Sequence, residues 1–177
     1  MESAFLASIE GEYRRYRTLL EKAIDQVDES GLSATPFAGA NSIASLGWHI
    51  GGNLRSRFTD FLTTDGEKPW RHRDEEFLPR VVSHAELRAK LESGWAPLFA
   101  TLEQLRDADL GREVKIRGQA LTVAEALHRS LAHLGYHVGQ VVLLARAIRG
   151  DAWGFLSIPP GHSEQYNLDP KLERGPH

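Results

Sequence analysis

His133 and His137 stand four residues apart inside the apolar run SLAHLGYHVGQVVLLAR, residues 130–146. Four residues advance an α-helix by about 6 Å and about 40°. Both imidazoles therefore share one face and can point at one ion. Leu134, Val138 and Val141 share that broad face, so it is directed inward. Two ligands rarely hold a metal firmly, and His49 in SLGWHIGGNLRSRF offers a third. One turn later on the same face comes Asn53, then Ser56 or Arg57. A polar line on a helix otherwise filled by Ile50, Leu54 and Phe58 is costly to bury without partners. Three imidazoles around a divalent cation would satisfy it and leave a position for water or substrate. Gln140, one turn beyond His137, could orient that imidazole from behind. The residues alone leave two readings standing, a metal centre or hydrogen-bonded core histidines, because helix-to-helix register is not written in the chain.

The charged segment KPWRHRDEEF, residues 68–77, also has two readings. It can be a solvated loop with Trp70 and Phe77 tucked in. Alternatively, Arg71 or Arg73 can meet an anionic group of a substrate at a cavity mouth. Trp48 reads as packing. The other histidines read as uninvolved. His72 is in the loop, His84 is in a capping box, and His162 and His177 are in the tail. His128 lies about 140° around the helix from His133 and faces away.

Four helical stripes must position these groups. The first runs through Phe5, Ile9, Tyr16, Leu19, Leu20, Ala23 and Val27, and ESGLSATPFAGAN ends it with Gly31 and Pro36. Asn41 is a candidate N-cap for the second, which extends to about Leu62. A polar loop with a turn at Asp65-Gly66 follows. SHAE, Ser83 to Glu86, has capping-box spacing. It opens a third helix through Leu87, Leu91, Trp95, Leu98, Leu102 and Leu105. Gly94 and Pro97 inside that stripe predict a kink and a small groove. DADLGREVKIRGQALT reads as a loop with a short hairpin. TVAE, Thr122 to Glu125, opens the fourth helix, which Gly150 stops. The pattern predicts an all-α, four-helix bundle over about 3–150 with long crossover links. An extended C-terminal segment, 151–177, completes a single domain over 1–177.

The chain has 177 residues, 41% hydrophobic and 25% charged, with a formal net charge of -3. Such a chain buries a core without staples. The balanced charge argues against a nucleic-acid surface, which needs a basic excess. No run is long enough for a membrane span, and the charged N-terminus does not read as a signal peptide. The expected compartment is the cytoplasm. The chain has no cysteine, which excludes disulfides, thiolate metal sites and a cysteine nucleophile.

NSIASLGWHIGGNLRSRFTDFLTTDGEKPWRHRDEEF, followed later by HLGYHVGQVVLLAR, resembles the DinB-like superfamily (DinB/YfiT-like metalloenzymes). The likeness is closest to a branch classed as a domain of unknown function. It spans nearly the whole chain, including LSIPPGHSEQYN near the end. The resemblance implies a DinB-like bundle with a histidine on the second helix and an H-x-x-x-H pair on the fourth. His49, His133 and His137 match those positions as ligands of a divalent ion. Zinc, nickel, iron or manganese are not distinguished by these residues.

Characterised members include transferases and isomerases that use a low-molecular-weight thiol. The resemblance therefore implies a metal-dependent, thiol-dependent S-transferase-like enzyme acting on a small-molecule substrate, and a homodimer. A metal-dependent hydrolase is the rival enzyme reading. No Asp or Glu lies on the predicted inner lines near the histidines, so no general base is named. That keeps a non-catalytic, stress-related metal-binding protein in play. Ligands must be deprotonated, so metal loss is expected below about pH 6.

Overall fold

Apolar residues at helical spacing form four long helices around one core, in a computed structural model that describes residues 4–170. The chain is mostly helical. The first long helix, α1 (Ala4–Ile24), buries Leu6, Ile9, Tyr13, Leu20, Ala23 and Ile24. A short α2 (Glu29–Ser33), not expected from the sequence, follows because Asp28 caps it, its carboxylate accepting from the amide of Gly31 at 2.8 Å.

The second long helix is α3 (Ile43–Phe58). Its N-cap is Ser42 rather than Asn41, since the Ser42 hydroxyl accepts from the Ser45 amide at 3.1 Å. It ends at Phe58 and not near Leu62. Asp60 adopts a φ of 50°, a left-handed conformation that a helix cannot continue through.

The helix α4 (His84–Gln104) starts at the expected capping box of Ser83 and Glu86 and carries Pro97 without interruption. The face of α4 at Gly94 is closed by α3. A Cβ there would meet Gly51 O at 2.6 Å, and one at Gly51 would meet Lys90 O at 2.6 Å. The two glycines are the point where the backbones of α3 and α4 touch, so helix packing fills the space a ligand would need.

The strands β1 (Glu113–Ile116) and β2 (Gln119–Thr122) form an antiparallel hairpin with Glu113 opposite Thr122. Its turn places Arg117 at φ 56° and Gly118 at φ 73°, the pairing of left-handed residues that a tight hairpin turn demands. The turn is held from outside. The Asp65 carboxylate accepts from the amides of Arg117, Gly118 and Glu67 at 2.7–2.8 Å.

The last long helix, α5 (Val123–Arg149), opens at the capping box of Thr122 and Glu125 and stops at Gly150, φ 58°. Phe58, at the end of α3, and Leu127, near the start of α5, both meet Tyr13. His49 instead lies against His133 and His137. The helices α3 and α5 therefore run antiparallel. The chain then crosses the surface to a short α6 (Ser163–Asn167). Among the described residues, no helix is long and apolar enough to cross a membrane.

Candidate metal centre

Antiparallel α3 and α5 bring together the three imidazoles that the sequence singles out. His49 and His137 are buried and His133 is half-buried. The Nε2 atom of His133 lies 3.2 Å from Nε2 of His49 and 3.2 Å from Nε2 of His137. One nitrogen from each of the three residues falls within 4.8 Å of the others. A tetrahedral ion with metal–nitrogen bonds of about 2.0–2.1 Å holds its ligand nitrogens about 3.3 Å apart, so the spacing fits.

Each outer imidazole is oriented from behind. His49 Nδ1 faces Glu76 Oε2 at 2.8 Å, and His137 Nδ1 faces Gln140 Oε1 at 2.8 Å. Burial works against ionising Glu76, but hydrogen bonds from Arg71 and His49 outweigh it and hold the carboxyl below the usual carboxylate range. An ionised carboxylate only accepts, so His49 Nδ1 carries the proton. Gln140 Oε1 likewise accepts from His137 Nδ1–H. In the neutral tautomers that these partners favour, both outer Nε2 atoms present lone pairs toward His133.

Proton counting decides what the cluster can be. A neutral His133 can donate Nε2–H to one neighbour only, leaving the other contact lone pair against lone pair. Double protonation of His133 would not help, because it adds its proton at Nδ1 and leaves a single Nε2–H, and it is opposed besides. Burial, followed by His137, His49 and Arg71, pushes its pKa down to about 3. Burial also holds His137 below the ordinary histidine range. Hydrogen bonds among the neutral rings therefore leave one nitrogen contact unsatisfied, which a cation would resolve.

The segment read as a solvated loop is part of the site. Arg71 and Glu76 are buried and paired twice, Nε to Oε1 at 2.9 Å and Nη2 to Oε2 at 2.8 Å. Arg71 also donates to Ser56 Oγ at 3.1 Å. The 3-10 turn Arg73–Phe77 carries Glu76 inward, and Gly52 admits it. A Cβ at Gly52 would overlap the Glu76 carboxylate. Phe77 packs on the His49 ring at 4.6 Å, as expected of a tucked-in residue. Trp70 is not tucked in. It stays 43% exposed and takes Arg55 over its face at 4.9 Å.

A cavity of about 1020 Å³ opens onto the cluster. Asn53, Arg57 and Arg73 line it, together with Phe58, Phe61, Leu121 and Tyr136. Arg57 is tied to Glu67 and to Gly66 O. Arg73 lies over Phe77 at 5.2 Å. Gln140 sits behind His137 rather than in the cavity wall. Trp48 packs under Arg80 and Lys90. His128 is edge-on to Phe5, His84 faces Val27 O, and His162 stays in the tail against Pro160 O. His72 is exposed, and His177 lies outside the described residues.

The family model described as "Protein of unknown function (DUF1572)" matches residues 1–162. No curated protein and no solved structure matches the chain.

Proposed function

We propose that this chain, which belongs to the DUF1572 family, is a DinB-like metalloprotein in which His49, His133 and His137 hold one divalent ion. The observation that carries the reading is the proton count at the cluster. Two nitrogens fixed as acceptors by Glu76 and Gln140 converge on a third whose protonation burial opposes. The ion, when bound, supplies Lewis acidity toward a thiol or a carbonyl.

The chain's own residues do the rest. Glu76, neutralised by Arg71, fixes the ring of His49 without adding net charge. Gln140 fixes His137. Among the described residues no fourth histidine, aspartate or glutamate joins the group, so a tetrahedral ion keeps a position for an exogenous ligand. An open position belongs to a catalytic site rather than a structural one.

Thiol-dependent S-transfer is the reaction class we favour. Among the described residues no Asp or Glu lines the cavity, and Glu76 is held by Arg71 and His49. A thiol, with an ordinary pKa of about 8.5, needs less help to ionise than water at about 15.7. The chain contains no cysteine, so the thiol is a small molecule from outside. Phe58, Phe61 and Leu121 give the cavity an apolar side against which a substrate body packs.

The test is elemental analysis of untagged protein beside His49→Ala, His133→Ala and His137→Ala. A thiol-plus-electrophile assay with and without metal follows. About one ion per chain, lost in each variant, is expected. Native protein that takes up neither zinc, nickel, iron nor manganese would end the metal reading. Metal-dependent turnover of an ester without any thiol would replace the transferase with a hydrolase.

A further inference from the structure

We propose that the cavity is built for a small organic anion with an apolar body, its charged group taken by Arg129 at the end of the cavity shared with Arg57 and Arg117. Among the described residues, five arginines line the space, Arg57, Arg71, Arg73, Arg117 and Arg129, and no carboxylate does. Their partners lie behind the wall. Arg71 is neutralised by Glu76. Arg57 and Arg117 share the single carboxylate of Glu67, at 3.3 Å and 2.7 Å. Arg73 has only Asp74, whose side chain is 99% exposed, an arrangement that contributes little. Arg129 has no ion pair among the described residues. Asp65 adds a fourth carboxylate behind the hairpin turn, so five guanidiniums against four carboxylates leave the wall with a surplus of one positive charge before any cation is added. A low-dielectric concavity with a surplus of one sign concentrates ligands of the other.

The geometry also sets the ligand's shape. Arg129, His133 and His137 occupy successive turns of α5, so Arg129 stands about 6 Å along the helix from His133. Because α3 runs the opposite way, Arg57, two turns after His49, lies at that same end. Arg117 reaches it from the hairpin turn. Apolar side chains, Phe58, Phe61, Ile116, Leu121 and Ala126, gather around the charged end, and Asn53 and Ser130 lie between it and the histidines. A molecule that fits carries its anionic group about four to six bonds from the atom that faces His133, and an apolar body that packs on those side chains. At about 1020 Å³ the space suits a ligand of ordinary metabolite size. Only the direction in which the ligand points rests on the metal reading. The arginine surplus belongs to the chain with or without an ion.

The experiment titrates 4-phenylbutyrate and its uncharged amide, by calorimetry, into zinc-loaded and EDTA-treated protein, native and Arg129→Gln. Arg129 is exposed and makes no ion pair among the described residues, so the substitution leaves the fold intact, which far-UV circular dichroism checks. The acid is expected to bind at least about tenfold tighter than the amide in both forms, the gain of a charge-assisted contact. Arg129→Gln should remove most of that difference and leave the amide's affinity unchanged. Equal affinity of acid and amide, an unchanged ratio in Arg129→Gln, or no binding of either probe would overturn the proposal. A preference for the acid seen only with zinc and indifferent to Arg129 would overturn it too, while supporting the metal site. The preference kept in protein that takes up no zinc would support it and end the metal reading instead.

Discussion

Protons and a metal ion compete for the same three nitrogens, and burial has already weakened the proton's side. The native-state values of His133 and His137 are depressed, the first to about 3, against about 6.5 in the unfolded chain. Between those values the metal-free native state binds fewer protons than the unfolded one. Its stability is complete above about pH 6.5 and declines as pH falls toward about 3. Thermal unfolding of metal-free protein between pH 7 and pH 4 should show a falling midpoint, with a shallower fall in His133→Gln. Identical slopes would remove His133 as the cause. Metal retention should persist below the pH of about 6 that free imidazoles suggest, as chelator-free dialysis followed by elemental analysis would register. Behind the ligands, Glu76→Gln leaves the buried guanidinium of Arg71 without its counter-charge, which costs about 3–5 kcal/mol. It also weakens the orientation of His49, which lowers metal affinity about 10–100-fold. Urea denaturation and a competitive chelator read the two effects separately.

At the scale of elements, the contact between α3 and α4 is set by backbone touching backbone at Gly51 and Gly94. Gly94→Ala should cost about 1–3 kcal/mol, seen as a lower urea midpoint with metal ligation retained once folded. Asp65→Ala should release the hairpin turn, so the amides of Arg117 and Gly118 exchange faster with solvent while those of α5 do not. The sequence carried the locally encoded features well. Both capping boxes, the stop at Gly150, the hairpin and the i, i+4 histidine pair each depend on neighbours within a few residues. What it did not carry depends on distance or on pairing. Asn41 and Ser42 are both good caps, and composition does not choose between adjacent candidates. Gly94 serves close packing against α3. The stretch 68–77 is dense in charge and reads as solvated. Arg71 and Glu76 instead neutralise each other inside, and the His49–Glu76 contact spans 27 residues of chain. The signal that existed was the polar line on α3 together with Gly52, which implied that something polar had to approach it.

For the molecule as a whole, one core of aliphatic and aromatic side chains from all four long helices carries the fold. Loss of the ion should therefore lower stability without dissolving the helices. At a free metal concentration a hundred times its Kd, the ion adds about 2.7 kcal/mol, read as a higher Tm that EDTA reverses. Far-UV circular dichroism of His137→Ala should keep nearly all its helical signal. Collapse of that variant would mean that the ion builds the fold rather than occupying it. The cavity wall divides into parts of different character. On the α3 and α5 sides its residues are bound up with ligands and core. On the hairpin side the anchor is Asp65, which grips only backbone amides. Side chains at Gln119, Ala120 and Leu121 can therefore change without loosening the hairpin, provided Gly118 keeps its left-handed turn. Selection can reshape that wall one substitution at a time, so divergence in ligand preference among relatives should accumulate there while the histidines stay put.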